Sequence, residues 1–409
     1  MLFIFLILLN LVFPASARSS DHQHTPTHEK HKHDHHAMPT FHKGWKDPHI
    51  PISAPPKTMG KQMGTVDTLG IPALGYTLDG KVKVFTLIAQ PVEKLITDSR
   101  TPSWQHLVPE KNRDDYLFMH HKIYQKIKCW GFNGSMPGPT IEFNEGDRVR
   151  IIVKNELPEP LSIHWHGLEL PNDQDGSAGL TQPPIMPGQT YTYEFTVYQS
   201  GTFMYHSEFN LMKQDALGSV GMIVVHPKHA AHKIDKDFAI MLQQWTILPG
   251  SEYPNIAAMN NPNWATFNGM AAPNIPHMAV KQGERVRIRL ANMGLDSHPI
   301  HIHGYNWTEV GTDGGPIPES AQQKSSTINV PPGSTRDVEF VAWNPGLWRF
   351  HCHKLHHIVN GHADDIPLGL MPHGGMFTIL YVEPKDPKAP WKHPNQPEEK
   401  SANQWQAII

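Results

Sequence analysis

The chain has 409 residues, room for two or three domains, and a formal net charge of −3, which excludes the excess basicity that nucleic-acid binding requires. It carries 29 His, 38 Pro and 31 Gly but only 2 Cys, so at most one internal disulfide can form and turn-formers abound. Long helical patterns are few, which argues against a helical bundle and predicts an all-β, loop-rich fold.

The amino terminus reads MLFIFLILLNLVFPASA. Its apolar run from Leu2 to Phe13 precedes Ala15-Ser16-Ala17, the arrangement of a cleavable export signal over residues 1–17. The run is short for a bilayer span; a retained anchor is the alternative, since no Lys or Arg precedes Arg18. Export to a periplasm, or secretion, is the expectation. Next comes DHQHTPTHEKHKHDHH from Asp21, which lacks apolar periodicity and is predicted to be disordered. Its imidazole density suits transient binding of copper, zinc or nickel, against the plainer reading of a polar linker. Pro- and Gly-rich sequence extends this His-rich linker, so that it covers 18–74.

Beyond it the chain repeats itself. GDRVRIIVKN from Gly146 recurs as GERVRIRLAN from Gly283, and the same offset of 137 carries His164 and His166 of IHWHG onto His301 and His303 of IHIHG. GTFMYHSE from Gly201 matches GLWRFHCH from Gly346 at an offset of 145, so a loop insertion lies between the blocks. Each copy reads as short alternating strands broken by Pro/Gly turns, among them TYTYEFTV and GMIVVHP in the first and TRDVEFVA and FTILYV in the second. Two Greek-key β-sandwich domains are predicted, at 75–230 and 235–385, followed by a tail over 386–409. An inserted loop is expected from about Asp98 to Leu117. Cys129, in KIYQKIKCW, is expected to be a buried free thiol on a strand.

Side chains two apart on a strand share a face. His164 and His166 therefore point together, as do His301 and His303, and His351 and His353, while Cys352 faces the opposite way. One strand then presents two imidazoles to one metal centre and a thiolate to another, with a few backbone bonds linking the two. A thiolate with two imidazoles and a weak axial donor is the donor set of a blue copper site. His298 in HPIHIH and His357 in HCHKLHH are the candidate imidazoles. A lone histidine is more often a satisfied core or surface residue. Three such pairs in register with a duplication, one bracketing a cysteine, outweigh that reading.

At these residues the chain resembles a known family. IHWHG, YHSE, HPIHIHG and HCHKLHH look like the four copper-binding blocks of the multicopper oxidases, over about Val82 to Pro384. With two repeats it is most similar to the two-domain, bacterial laccase-like branch. The resemblance implies tandem cupredoxin-like domains. It implies that His298, Cys352 and His357 hold a mononuclear blue copper, and that His164 and His301 hold the type 2 copper of a trinuclear cluster. His166, His206, His303, His351 and His353 would then hold the coupled copper pair of that cluster. A reductant would be oxidised at the blue copper, and electrons would pass along the cysteine–histidine link to reduce dioxygen to water. By analogy the chain forms a homotrimer, with the cluster between the first domain of one copy and the second domain of its neighbour. Ser207 stands where the second copy has Cys352, so the first domain should hold no blue copper.

Three positions depart from or extend the pattern. Glu208 stands where the second copy has His353, replacing one expected cluster histidine by a harder, negatively charged donor. His362 occupies the axial position after His357, with Met371 as a substitute if the loop folds back and solvent exposure as the alternative for His362. Asp175, in PNDQDG, resembles the family's acid beside the cluster, the alternative being a turn-forming Asp before Gly. The expected function is a copper-dependent oxidase of phenols or of metal ions such as cuprous ion, with dioxygen as acceptor. One alternative is a copper-binding or copper-tolerance protein whose cluster Glu208 impairs. A nitrite-reductase-like copper enzyme ranks behind it, because that family carries its thiolate in the first domain.

Overall fold

The computed structural model describes residues 65–98, 100, 101, 103, 105–107, 124–258, 261–360 and 374–395. The apolar opening run, the His-rich tract, His362 and Met371 lie outside these residues, as does the carboxyl end from 396 and most of the loop expected after Asp98. Strands make up nearly all of the regular structure. The α-helices among the described residues are the short Leu211–Ala216 and Leu355–Val359.

Alternation decides which face of each strand is buried. Arg148–Asn155 buries Val149, Ile151 and Val153 and turns its basic residues outward. It pairs in parallel with Val82–Asp98 and antiparallel with Thr190–Thr196. A second sheet orders Gly138–Asn144, Val220–His226, Gly201–Ser207 and Ile163–His166. The two inner faces share one core that includes Val149, Ile151, Phe195, Trp165, Phe203 and Ile223.

The later repeat follows the same plan. Met278–Lys281, Phe377–Glu383, Gly346–Cys352, His298–Ile302 and Thr327–Val330 form one sheet, and a larger one is built on Lys236–Trp245, Arg285–Asn292, Thr335–Val341 and Trp307–Thr312. Its core includes Val286, Ile288, Leu290, Ile300, Phe350 and Cys352. Each large apolar side chain fully buried there contributes roughly 1.5–3 kcal/mol. The all-β sandwich architecture expected from the strand pattern is present. Both cysteines are free thiols, so the one possible internal bridge does not form. Cys129 is buried on Tyr124–Phe132, and burial raises its thiol to about 12, which suits an inert packing residue.

The last part of the expected linker, Thr65 to Leu74, is built into the fold instead. Asp67–Thr68 pairs in parallel with Lys236–Trp245 of the second repeat. Meanwhile Glu142 of the first repeat accepts hydrogen bonds from Thr65 N, Thr65 Oγ1 and Val66 N. Burial alone would raise that carboxyl, but the His226 ring and these amides overcome it and bring it down to about 2. Composition suggested a flexible segment; long-range partners for its backbone amides decide otherwise.

One buried cation joins the repeats. Arg289 has 1% of its side chain exposed. Its Nε and Nη2 each donate to a carboxylate oxygen of Asp237 at 2.8 Å, and Nη1 donates to Thr202 Oγ1 at 2.9 Å and to Asp337 Oδ2 at 3.3 Å. Thr202 Oγ1 in turn donates to Asp337 Oδ1, and Thr335 Oγ1 donates to Thr202 O. Burial alone would lower the guanidinium's affinity for its proton, but the two aspartates win and hold it above its usual value. Thr202 lies on Gly201–Ser207, the strand that carries His206, so this network holds that strand against the second repeat. Arg289→Ala strands the buried Asp337 and the largely covered Asp237 and should lower unfolding stability by about 3–5 kcal/mol. Removal of the exposed Arg148 should cost under about 1 kcal/mol. Chemical denaturation of both variants measures the difference, and equal losses would contradict the lock.

Candidate metal centres

Cys352 closes the strand Gly346–Cys352 and points into the second core with 0% exposure. Its neighbour His351 turns the other way, with its ring 5.5 Å from that of His301. Cys352 Sγ lies 3.8 Å from His298 Nδ1 and 3.5 Å from His357 Nδ1. Donors bound to one first-row ion at about 2.0 Å for nitrogen and about 2.3 Å for sulfur, roughly 120° apart, would stand about 3.7 Å from each other. The spacing fits a three-donor metal site, and soft sulfur with two imidazoles suits copper.

Local structure positions each donor. His298 opens the strand His298–Ile302, which pairs antiparallel with Gly346–Cys352 through Ile300 opposite Cys352. His357 rides on the helix Leu355–Val359. Asn360 ends that helix at φ 52°, a left-handed conformation that Asn tolerates. Its side chain accepts from Ala265 N and donates to Ala265 O and Gly374 O, which ties the helix end to the fold. Nothing in the spacing pattern marked Asn360.

Two histidine trios lie outside this site. His301 stands directly across the strand pair from His351, and His303 Nε2 is 3.1 Å from His351 Nε2. The first repeat reproduces the register: His164 stands across from His206, and His166 Nδ1 is 3.3 Å from His206 Nε2. Two nitrogens about 2.0 Å from a shared ion at tetrahedral angles lie about 3.3 Å apart. In each trio the candidate donor atoms all fall within 4.8 Å of one another. Their outward nitrogens are already engaged. Nδ1 of His206 faces Ser207 O, that of His351 faces Cys352 O, that of His301 faces Ser326 O, and that of His164 faces Asp175 O. Such bonds fix the tautomer and leave the inward nitrogens free to hold a cation.

Several expected members do not join these groups. Asp175 faces the outer Nδ1 of His164 with its carbonyl and with Oδ1 at 3.3 Å, while Oδ2 accepts from Ser177, so it orients the ring. Glycine makes that turn possible: at Gly176, φ +91°, a Cβ would stand 1.7 Å from Ile163 O. Glu208 lies 3.7 Å from Nδ1 of His206, on the ring edge turned away from the trio. His353, its counterpart, is exposed, with its ring 5.5 Å from that of His301. At the repeat offsets the first copy has Leu161, Ser207 and Met212 where the second has His298, Cys352 and His357. Ser207 Oγ there donates to Gln214, so no thiolate site exists in the first repeat.

Asp215 is an acid that the sequence pattern missed. It lies 3.6 Å from His206 Nδ1, and its Oδ1 is buried without a hydrogen-bond partner among the described residues. Burial, reinforced by the nearby Glu208 charge, pushes its carboxyl well above the usual range. A cavity of about 450 Å³ brings the first trio, Glu208 and Asp215 together with Gln243 of the second repeat. Among the described residues no donor group mixes the two trios.

Burial disfavours the charged form of the donor imidazoles. It lowers His298 to about 3 and His206, His351 and His357 to about 4. Burial likewise raises the Cys352 thiol to about 11, so metal binding must displace its proton. Between about pH 6.5 and 4 the unfolded chain takes up protons on these histidines that the folded chain refuses. Folding stability of the metal-free protein should therefore be complete above about pH 6.5 and fall as the pH drops towards 4. Melting temperature against pH measures this, and a flat profile over that window would contradict it.

Comparison with known proteins agrees with this geometry. One multicopper oxidase family model matches residues 119–230 and another matches residues 248–366. Copper resistance protein A of Escherichia coli is 43% identical over 117 residues, covering 28% of this chain and 19% of that protein. Laccase-19 of Oryza sativa subsp. japonica is 32% identical over 256 residues, covering 56% of this chain and 42% of that protein. The chain thus spans less than half the length of these relatives. The crystal structure of Blue Copper Oxidase from Nitrosomonas europaea aligns with a TM-score of 0.58 and 28% identity over 77% of this chain and 91% of that one. The two matched segments together take in more than half of the sequence, each containing one of the histidine trios, and the chain belongs to the multicopper oxidase family.

Proposed function

We propose that this chain is an exported, copper-dependent oxidase that takes electrons from phenols or from low-valent metal ions such as cuprous ion and delivers them to dioxygen. The observation that carries this reading is the back-to-back placement of Cys352 and His351 on one strand, with a buried His₂Cys set behind and a histidine trio in front. His298, Cys352 and His357 would hold a blue copper, while both trios, with His353, would hold a trinuclear cluster. Bound copper supplies one-electron redox chemistry and, as a cluster, the place where dioxygen is reduced to water.

The chain's own residues do the rest. The apolar second core keeps water from the Cys352 sulfur. One peptide unit separates Cys352 from His351, and another separates it from His353, which gives electrons a covalent route between the two centres. Burial favours the protonated form of the Asp215 carboxyl beside His206. Asp215 is better placed as a proton donor than Asp175, whose carboxylate serves His164 and Ser177. Because the trios lie in different repeats and no described group joins them within one chain, a homotrimer pairing the first repeat of one copy with the second repeat of its neighbour would complete the cluster. Similarity to copper resistance protein A supports a role in copper handling, and the apolar opening run supports export.

A second reading has one observation in its favour: Glu208 stands off from the first trio, as an impaired, copper-holding cluster would require. Copper loading separates the two. The oxidase reading predicts an intense thiolate absorption that Cys352→Ser abolishes, a trimeric mass, and sustained oxygen consumption with a simple reductant. A fully loaded protein that shows the band but consumes no oxygen would leave only the copper-holding role, and Glu208→His would then be expected to restore turnover. Asp215→Asn should slow oxygen reduction by about 10²-fold while leaving the thiolate band in place; unchanged turnover would remove Asp215 from proton delivery.

A further inference from the structure

The outer edge of His357 has partners that the blue copper donor set does not use. Its Nδ1 faces the Cys352 sulfur, while its Nε2 lies 3.2 Å from Gln244 Nε2 and 3.6 Å from Asp296 Oδ2. The Gln244 amide is oriented by its other end, because Oε1 accepts the backbone N–H of Asp296 at 3.0 Å. Its NH₂ group therefore points at the ring. Asp296 Oδ1 accepts from Ser297 N at 2.8 Å and from the Lys354 ammonium. Two further imidazoles pack against His357, His356 with centroids 4.3 Å apart and His298 with centroids 4.8 Å apart.

These contacts suit two different tautomers. With a proton on Nδ1, the Nε2 lone pair accepts from the Gln244 amide. Once Nδ1 is given to a metal, Nε2 must carry the proton, and Gln244 then offers a donor to a donor. The acceptor within reach is Asp296 Oδ2. His298 has no such lever among the described residues, where its buried Nε2 finds no hydrogen-bond partner. A carboxylate on the far nitrogen of a metal-bound imidazole strengthens that ring as a donor and favours the more oxidised metal.

We infer that Asp296 is a positioning residue that sets the potential of the metal centre at His357 by accepting a hydrogen bond from its Nε2–H with an ionised carboxylate, and that Lys354 moderates its effect by sharing that carboxylate. This rests on the proposed copper reading of His298, Cys352 and His357. Asp296 acts through His357 and takes no part in holding the metal. It sits two residues before His298, and Gln244 ties it to the strand Lys236–Trp245, so the same contact also fixes the loop that delivers His298.

Redox titration of the thiolate absorption in the copper-loaded full chain tests this. Asp296→Asn should shift the midpoint to higher potential with the band retained. Lys354→Met should shift it lower, and that shift should shrink in the Asp296→Asn background. An unmoved midpoint in Asp296→Asn with the band intact would overturn the assignment. So would a Lys354→Met shift that persists undiminished in the double variant, because it would then reflect bare charge near the metal. If Asp296→Asn does not fold, Asp296→Ser takes its place as the acid-free variant in both the single and the double measurement, with the same expected and contradicting outcomes. A wild-type chain without the thiolate band overturns the copper reading itself, and this inference with it.

Discussion

Everything in this molecule turns on a constraint as simple as the pleat of a strand: neighbouring side chains cannot share a face. On Gly346–Cys352 that rule sends the Cys352 sulfur into an apolar core and the His351 ring to the opposite side, where His301 awaits it directly across the ladder. A soft, buried sulfur with two imidazoles and a cluster of further imidazoles thus sit on the two sides of one strand. Shifting the register by one residue would exchange them and leave the thiol facing the second trio.

The repeat supplies the rest. His164 faces His206 as His301 faces His351, so both copies carry the imidazole side. The second copy alone carries the sulfur side. Leu161, Ser207 and Met212 occupy its place in the first repeat, and Ser207 spends its hydroxyl on Gln214. What keeps the first trio in place against the other repeat is a buried guanidinium. Arg289 reaches Thr202, four residues before His206, from the second repeat's sheet. The first histidine trio and interdomain packing therefore share the strand Gly201–Ser207.

Strand alternation and the doubled motifs made the sandwiches, the two trios and the thiolate set legible in the sequence, because each depends on spacing within a strand or on its copy. Residues that act across long distances were not legible. Gln244 belongs to no repeated block and meets His357 only after the sheets close. Asn360 ties the end of the His357 helix to the distant Ala265, and Asp215 reaches His206 only through the turn into the helix Leu211–Ala216. Asp296 adjoins the HPIHIH block, yet its contact with His357 spans two loops. Glu208 was conspicuous for the opposite reason, since the repeat exposed it as the odd member. The structure sets it against the outer Nδ1 of His206, on the ring edge turned away from the trio. Thr65 to Leu74 read as linker because composition reports flexibility and cannot see the Glu142 carboxylate waiting for their amides.

Where copper binds decides whether one strand joins two centres. Anomalous diffraction at the copper edge from copper-soaked crystals would locate it directly. It should give one peak in bonding range of the Cys352 sulfur and the Nδ1 atoms of His298 and His357, with further peaks enclosed between the first trio of one copy and the second trio of another. Copper absent from Cys352, or peaks confined to each trio separately within a single chain, would contradict the claim that one strand joins two working centres.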